Sequence, residues 1–298
     1  MSLVGFARAE TEHELKAAIG RSLDLIEYMF PLGLKNVVIK PNMCYYWDYT
    51  TGQTTDPKFV AALIALIREK VSSDVNISIV ESDASAMRFT HAVKMLGYKQ
   101  LSQKYGVDLV NLSEDEGKEV EVTVRKQPFR FTLPRTIRDA DLRINIPKIK
   151  YTFEQIKLTC ALKNIFGCNP YQKKFKYHSR IEEAIVAINK AMKFDLCIVD
   201  GYIVSGVRPS KLGLVMSSRD PVATDVAAAK IAGVSKNRVG YIALAEKEGV
   251  GKTNFVPRGI PLSYFAARYP RETLRKKVMV RGYSLVVKLG LSKRLGLV

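Results

Sequence analysis

Short apolar runs alternate along the chain with longer segments in which apolar residues recur every three or four positions. LVGFARA (3–9), NVVIK (36–40), NISIV (76–80), VDLVNL (107–112), DLRINIP (141–147), DLCIVDG (195–201) and LGLVMSS (212–218) have the length and composition of buried strands. Between them lie helical stripes, such as Leu15, Ala18, Ile19 and Leu23 after a capping-box pair Thr11 and Glu14, or Phe59, Val60, Leu63, Ile64 and Ile67. Asp56-Pro57 and Asp220-Pro221 each place an N-cap carboxylate before a proline at the first helical position, so capping accounts for both acids. Regular alternation of this kind predicts right-handed βαβ units, hence an α/β fold with a mostly parallel sheet flanked by helices. One stretch departs from it. Residues 117–133, with EVEVTV and then FRFTL, alternate with period two and predict an antiparallel hairpin at the sheet edge or over a cleft. Gly206, Pro209 and Gly213 mark a loop ahead of LGLVMSS.

Residues 1–257 read as an α/β domain, either undivided or as two lobes meeting near 145. From Pro257 the composition changes, and 258–298 reads as a basic amphipathic C-terminal tail. There Leu274, Val278, Leu285 and Leu289 share one helical face and Lys277, Arg281 and Lys288 an adjacent one. With 47% apolar residues over 298 positions the chain can fill a core, which excludes a disordered protein. No apolar run approaches the roughly 18 residues of a spanning helix.

Charge sharpens the picture. The net charge of +18 is concentrated in two places: residues 145–180 hold eight basic residues against one acid, and residues 258–298 hold ten against one. Localised positive charge points to surfaces for particular anions rather than to general solubility. The four cysteines form no CxxC pair and follow no secretory leader, which fits reduced thiols in the cytosol. The expected location is cytoplasmic, with peripheral attachment to a membrane as the other option. Cys44, Cys160 and Cys168 could meet around a metal, but buried packing explains them as well, and no metal ligand is assigned.

Candidate chemistry gathers where strands deliver their carboxyl ends, the place at which open α/β sheets bind ligands. Lys40 and Asn42, the run Glu81-Ser82-Asp83, Lys148 with Lys150, and Asp200 all lie at such ends. Lysine ammoniums suit phosphate or carboxylate, and Asn42 and Asn164 add amide hydrogen bonds. Lys163 stands apart because CALKNIFGC surrounds it with apolar residues, so its charge must be paired, bound to ligand or suppressed. His178 precedes a predicted helix and carries a side chain suited to proton transfer near neutrality. Asp225, in the first turns of a helix, or Asp200 is the expected carboxylate partner, and Asp225 is expected to pair with Lys163 in the cleft. Lys163, His178 and Asp225 are thus the catalytic candidates. Lys40, Asn42, Lys148, Lys150, Asn164 and Asp200 are the substrate-binding candidates, all converging on one cleft. His13 and His91 receive no role. A Ser–His–Asp set, a Walker loop and a GxGxxG fingerprint are absent from the sequence.

Two functions follow. The first is an enzyme acting on a small phosphate- or carboxylate-bearing substrate in a lysine-rich cleft. The second is a binding protein for RNA or an anionic membrane, using the basic tail and the mixed aromatic and basic run YQKKFKYH (171–178). No DNA-reading motif accompanies either.

The ordered set Lys40-Pro41-Asn42, Thr55-Asp56-Pro57, Pro147-Lys148 with Lys150, Thr159, Lys163-Asn164, Gly167, His178, Asp200-Gly201 and Asp220-Pro221 with Asp225 resembles the domain of unknown function 362 family, over roughly residues 35–235. The resemblance implies an α/β fold and a shared site without a general reaction, so the cofactor is unknown. Many members carry a ferredoxin-like insert with paired CxxC motifs for iron–sulfur clusters. The cysteine spacing here departs from that pattern and argues against such a cluster. The family is in turn distantly similar to lactate racemase, whose nickel-bearing, nucleotide-derived cofactor is attached through a lysine.

Overall fold

A computed structural model describes residues 1–152 and 157–271. The strands are β1 (Ser2–Arg8), β2 (Asn36–Pro41), β3 (Asn76–Glu81), β4 (Asp108–Asn111), β5 (Gly117–Val124), β6 (Gln127–Pro134), β7 (Leu142–Ile146), β8 (Lys150–Tyr151), β9 (Leu158–Thr159), β10 (Leu196–Ser205), β11 (Pro209–Ser218) and β12 (Phe255–Gly259). The helices are α1 (Leu15–Asp24), α2 (Pro57–Lys70), α3 (Phe89–Met95), α4 (Tyr98–Tyr105), α5 (Arg135–Arg138), α6 (Ala161–Ile165), α7 (Ile181–Ala191), α8 (Pro221–Ala232), α9 (Gly240–Lys247) and α10 (Leu262–Arg268).

Eight strands form one sheet in the order β12-β1-β11-β10-β7-β2-β3-β4. All its neighbours pair in parallel except β11, which runs against both β10 and β1. The inner strands of the sheet are buried on both faces, which is why they are largely apolar instead of alternating with polar residues. Successive residues serve opposite layers. Val37, Ile39, Ile79 and Ile198 pack towards α1 to α4, while Val38, Val80 and Val199 join the core formed with α6 to α9. Residue 145 lies in β7, inside this one sheet, so the chain does not divide into lobes there.

The predicted hairpin is present as β5 and β6, antiparallel from Gly117↔Pro134 to Val124↔Gln127. Its two-residue turn, Arg125-Lys126, has positive φ at both positions (49° and 62°), the geometry that matches strand twist in tight hairpins. A second hairpin stands where the sequence predicts a loop. The glycine- and proline-marked segment 206–213 is mostly strand, because β10 and β11 pair through Ser205↔Pro209 and extend each other to ten residues. Gly213 sits there at φ +69° against the Ala9 carbonyl, with no room for a side chain, so it signals a close approach rather than a loop.

The basic tail begins later than its composition indicates. β12 pairs with β1, Phe265 of α10 is fully buried, and Arg271 donates to the Ile231 carbonyl at the end of α8 (2.8 Å). Residues 258–271 therefore belong to the domain. The proposed amphipathic face from Leu274 to Leu289 lies outside the described residues.

Candidate functional site

The parallel strands β2 and β3 end side by side and bring Lys40 and Glu81 to the floor of a cavity of about 250 Å³. Lys40, the last lysine of β2, is fully buried. Its Nζ donates to Glu81 Oε2 at the end of β3 (2.7 Å) and to the Pro41 carbonyl (2.7 Å). A desolvated ammonium is tolerated only when matched in this way. Gly167 closes over the pair, and a Cβ there would lie 2.8 Å from Glu81 Oε1 and 3.0 Å from Lys40 Nζ.

Beside the pair runs a chain of amides. Lys150 Nζ donates to Asn42 Oδ1 (2.7 Å), Asn42 Nδ2 to Asn164 Oδ1 (2.8 Å), and Asn164 Nδ2 to Asn145 Oδ1 (2.7 Å). Asn145 Nδ2 ends the chain on the Ala161 carbonyl (3.0 Å). Because an ammonium can only donate, Lys150 sets the orientation of every amide that follows. Burial lowers the pKa of Lys150 itself, with Cys44 acting in the opposite sense.

The far wall comes from α6 and from the 3₁₀ segment Lys174–Arg180. Lys174 Nζ donates to Ser82 Oγ (2.6 Å), and burial pushes its pKa down to about 8. Lys163 also falls to about 8, first through burial and then through the like charge of Lys150. Its ammonium has no hydrogen-bond or ion-pair partner among the described residues. His178 stands at the exposed rim of the same cavity.

Lys40, Asn42, Lys150, Lys163, Asn164 and His178 line one cavity. Lys148, Asp200 and Asp225 do not line it. Lys148 and Asp200 form a separate buried ion pair (3.0 Å). Asp200 also accepts from the backbone N–H of Asp56 (2.9 Å) and Tyr202 (3.1 Å), so it ties the start of α2 to β10. Asp225 does not partner Lys163. Its Oδ1 accepts from the N–H groups of Ala161 (2.6 Å) and Leu162 (3.3 Å), the free amino end of α6. Burial pushes Asp225 up to about 7, against the lowering effect of the nearby Tyr241 hydroxyl and the two amides. It positions the helix that carries Lys163.

Glu81, Ser82 and Lys174 are the members to which the sequence assigned no role in the cleft. Glu81 ends its strand as Lys40 ends β2, but that the two strands are neighbours is known only from the sheet order.

Among the described residues no three His, Cys, Asp or Glu side chains stand close enough to hold a metal ion. Burial raises the thiols of Cys160, Cys168 and Cys197 well above the ordinary range, with Cys168 at about 12. Among the described residues no side chains gather into the set of thiolates that an iron–sulfur cluster requires.

Fold and site together define an α/β protein with a cationic cavity at the carboxyl ends of its central strands. The chain belongs to the family described as domain of unknown function (DUF362), which matches residues 37–230 and so takes in every part of the cavity wall. It is 27% identical over 231 residues to a thylakoid-associated protein of Synechocystis sp., covering 73% of this chain and 69% of that protein. Among solved structures, lactate racemase apoprotein from Thermoanaerobacterium thermosaccharolyticum is similar at a TM-score of 0.44 and 13% identity. That likeness covers 79% of this chain and 58% of the racemase.

Proposed function

We propose that the protein is an enzyme that binds a small phosphate- or carboxylate-bearing substrate in this cavity. One observation carries the reading: among the described residues four lysines line the cavity against a single carboxylate, Glu81, and Lys40 already occupies that carboxylate. Lys150, Lys163 and Lys174 are left with no acid in the lining to neutralise them, and a bound anion would supply one. Asn42 and Asn164 hold the cavity floor in register, and His178 at the rim is the candidate for moving a proton to or from the bound molecule.

Calorimetric titration with inorganic phosphate and with pyruvate tests this. Saturable binding of either, weakened tenfold or more by Lys163→Met or Lys174→Met, is the expected result. Binding unchanged in the double variant would overturn the assignment.

The thylakoid association of the Synechocystis relative favours a second, compatible reading, peripheral attachment to an anionic membrane through the basic residues beyond Arg271. No helix among the described residues is long and apolar enough to cross a membrane. RNA is the competing partner for the same charge.

A further inference from the structure

The four lysines of the cavity differ in one respect. Lys40 is held by Glu81 and the Pro41 carbonyl, Lys150 by Asn42, and Lys174 by Ser82. Lys163 lines the same space, is mostly buried, and donates to nothing among the described residues. Its backbone is nevertheless firmly placed. Asp225 anchors the N–H groups two and one positions before it, and Asn164, one position after it, sits at the centre of the amide chain. A fixed backbone with an amine that no described residue holds is the arrangement a nucleophile needs, whereas a lysine serving only as charge would be expected to hold a partner as the other three do.

We propose that Lys163 is a nucleophilic amine that forms a Schiff base with a small anionic carbonyl compound, whose carboxylate or phosphate rests on Lys150 and Lys174. This rests on the anion-binding reading above and narrows it to carbonyl substrates. Among the described residues the charged and titratable groups that line the cavity with the amine are Lys150 from β8, Cys44 and Tyr45 from the loop after β2, Lys174 and His178 from the 3₁₀ segment, and the mutually neutralised Lys40 and Glu81. Burial and the cationic neighbours favour the free amine, the means by which amine nucleophiles are commonly activated. With a pKa of about 8 against about 10.4 for an ordinary lysine, Lys163 holds on the order of 10²-fold more free amine at pH 7.

In the step itself the Nζ lone pair adds to the carbonyl carbon and the C=O π pair moves to oxygen. The oxygen gains a proton as the nitrogen loses one, giving a carbinolamine. Protonation of its hydroxyl by the Lys174 ammonium, or by His178 in its imidazolium form, lets water leave as the C=N bond forms. One water is released and nothing is oxidised or reduced.

The test is borohydride trapping on the full chain, with pyruvate as the carboxylate probe and dihydroxyacetone phosphate as the phosphate probe. Hydride reduces the imine to a secondary amine, so the intact mass should rise by that of the probe less one oxygen atom. Peptide mapping should place the adduct on Lys163. Labelling should rise with pH to half-maximum near about 8, be suppressed by excess inorganic phosphate, and vanish in Lys163→Arg, which keeps a charge and guards against misfolding of Lys163→Met. The probe that labels identifies the anionic group. If calorimetry shows pyruvate or phosphate binding that depends on Lys163 and Lys174, yet labelling is spread over surface lysines or absent, the Schiff-base assignment is wrong and the anion site stands. If neither anion binds, both fall.

Discussion

The Lys40–Glu81 pair shows how costly a buried charge is and how it is contained. Glu81→Gln leaves an ammonium without its counter-ion and is expected to cost about 3–5 kcal/mol, whereas Lys40→Met combined with Glu81→Leu should recover much of that loss. Urea denaturation of the three proteins checks it. Two other buried acids are not matched in this way. Burial raises Asp56 and Asp225 to about 7, and each has one carboxylate oxygen without a partner. A raised folded-state pKa means that the protonated form is favoured on folding. Each group therefore contributes stability that is complete below about pH 4 and is lost as pH rises through about 7, by up to about 4 kcal/mol. Relative to wild type, Asp225→Asn should be less affected when pH is raised from 5 to 8. Equal pH slopes in the two proteins would show that Asp225 stays ionised. Asp56 and Asp220 were legible as caps because their partners, Lys58 and Val222 N–H, are two residues away. Glu81 was not, because its partner is 41 residues distant.

At the scale of elements, the hairpin β5–β6 supports the site without entering it. Phe131 stacks on Tyr177 (centroids 5.8 Å apart) and Arg180 lies over Phe129 (4.6 Å), so the hairpin holds the segment that carries Lys174 and His178. Phe131 is 3% exposed. Phe131→Ala should cost about 3–5 kcal/mol and should also weaken phosphate binding, by loosening Lys174. A loss of stability with unchanged affinity would confine the hairpin to a packing role. The period-two pattern revealed this hairpin, but no local pattern revealed that it covers the cavity wall, which depends on where α7 docks. The pairing of β10 with β11 was likewise hidden. Gly206 and Pro209 do mark the turn, yet whether the flanking residues are strand or loop is decided by whether a neighbour accepts their hydrogen bonds.

For the whole molecule, charge is partitioned between a cavity built by the domain and a basic segment beyond it. Removal of residues 272–298 should leave cooperative melting intact, since Arg271 and α10 already close the domain. It should also reduce co-sedimentation with liposomes containing anionic lipid, and the binding of the full chain should fall steeply with salt. Lost cooperativity with unchanged liposome binding would make the segment part of the core, and preferential retention of RNA over liposomes would make RNA the partner.

By itself the sequence determined the α/β class, the main strands and helices, the Asp56 and Asp220 caps though not the Thr11–Glu14 box, whose threonine makes no capping hydrogen bond, and the places where site residues leave the strands, because each follows from hydrophobic period or from contacts a few residues long. It also singled out Lys163, since an ammonium among apolar neighbours is visible in a single nonapeptide. Only the tertiary structure decided which ends meet. Six of the nine expected site residues share the cavity, while Lys148 and Asp200 pair elsewhere and Asp225 turns to hold α6. The physical reason is that a strand end states where a side chain emerges, whereas its partner is chosen by sheet order and helix docking, which sum contacts across the whole chain.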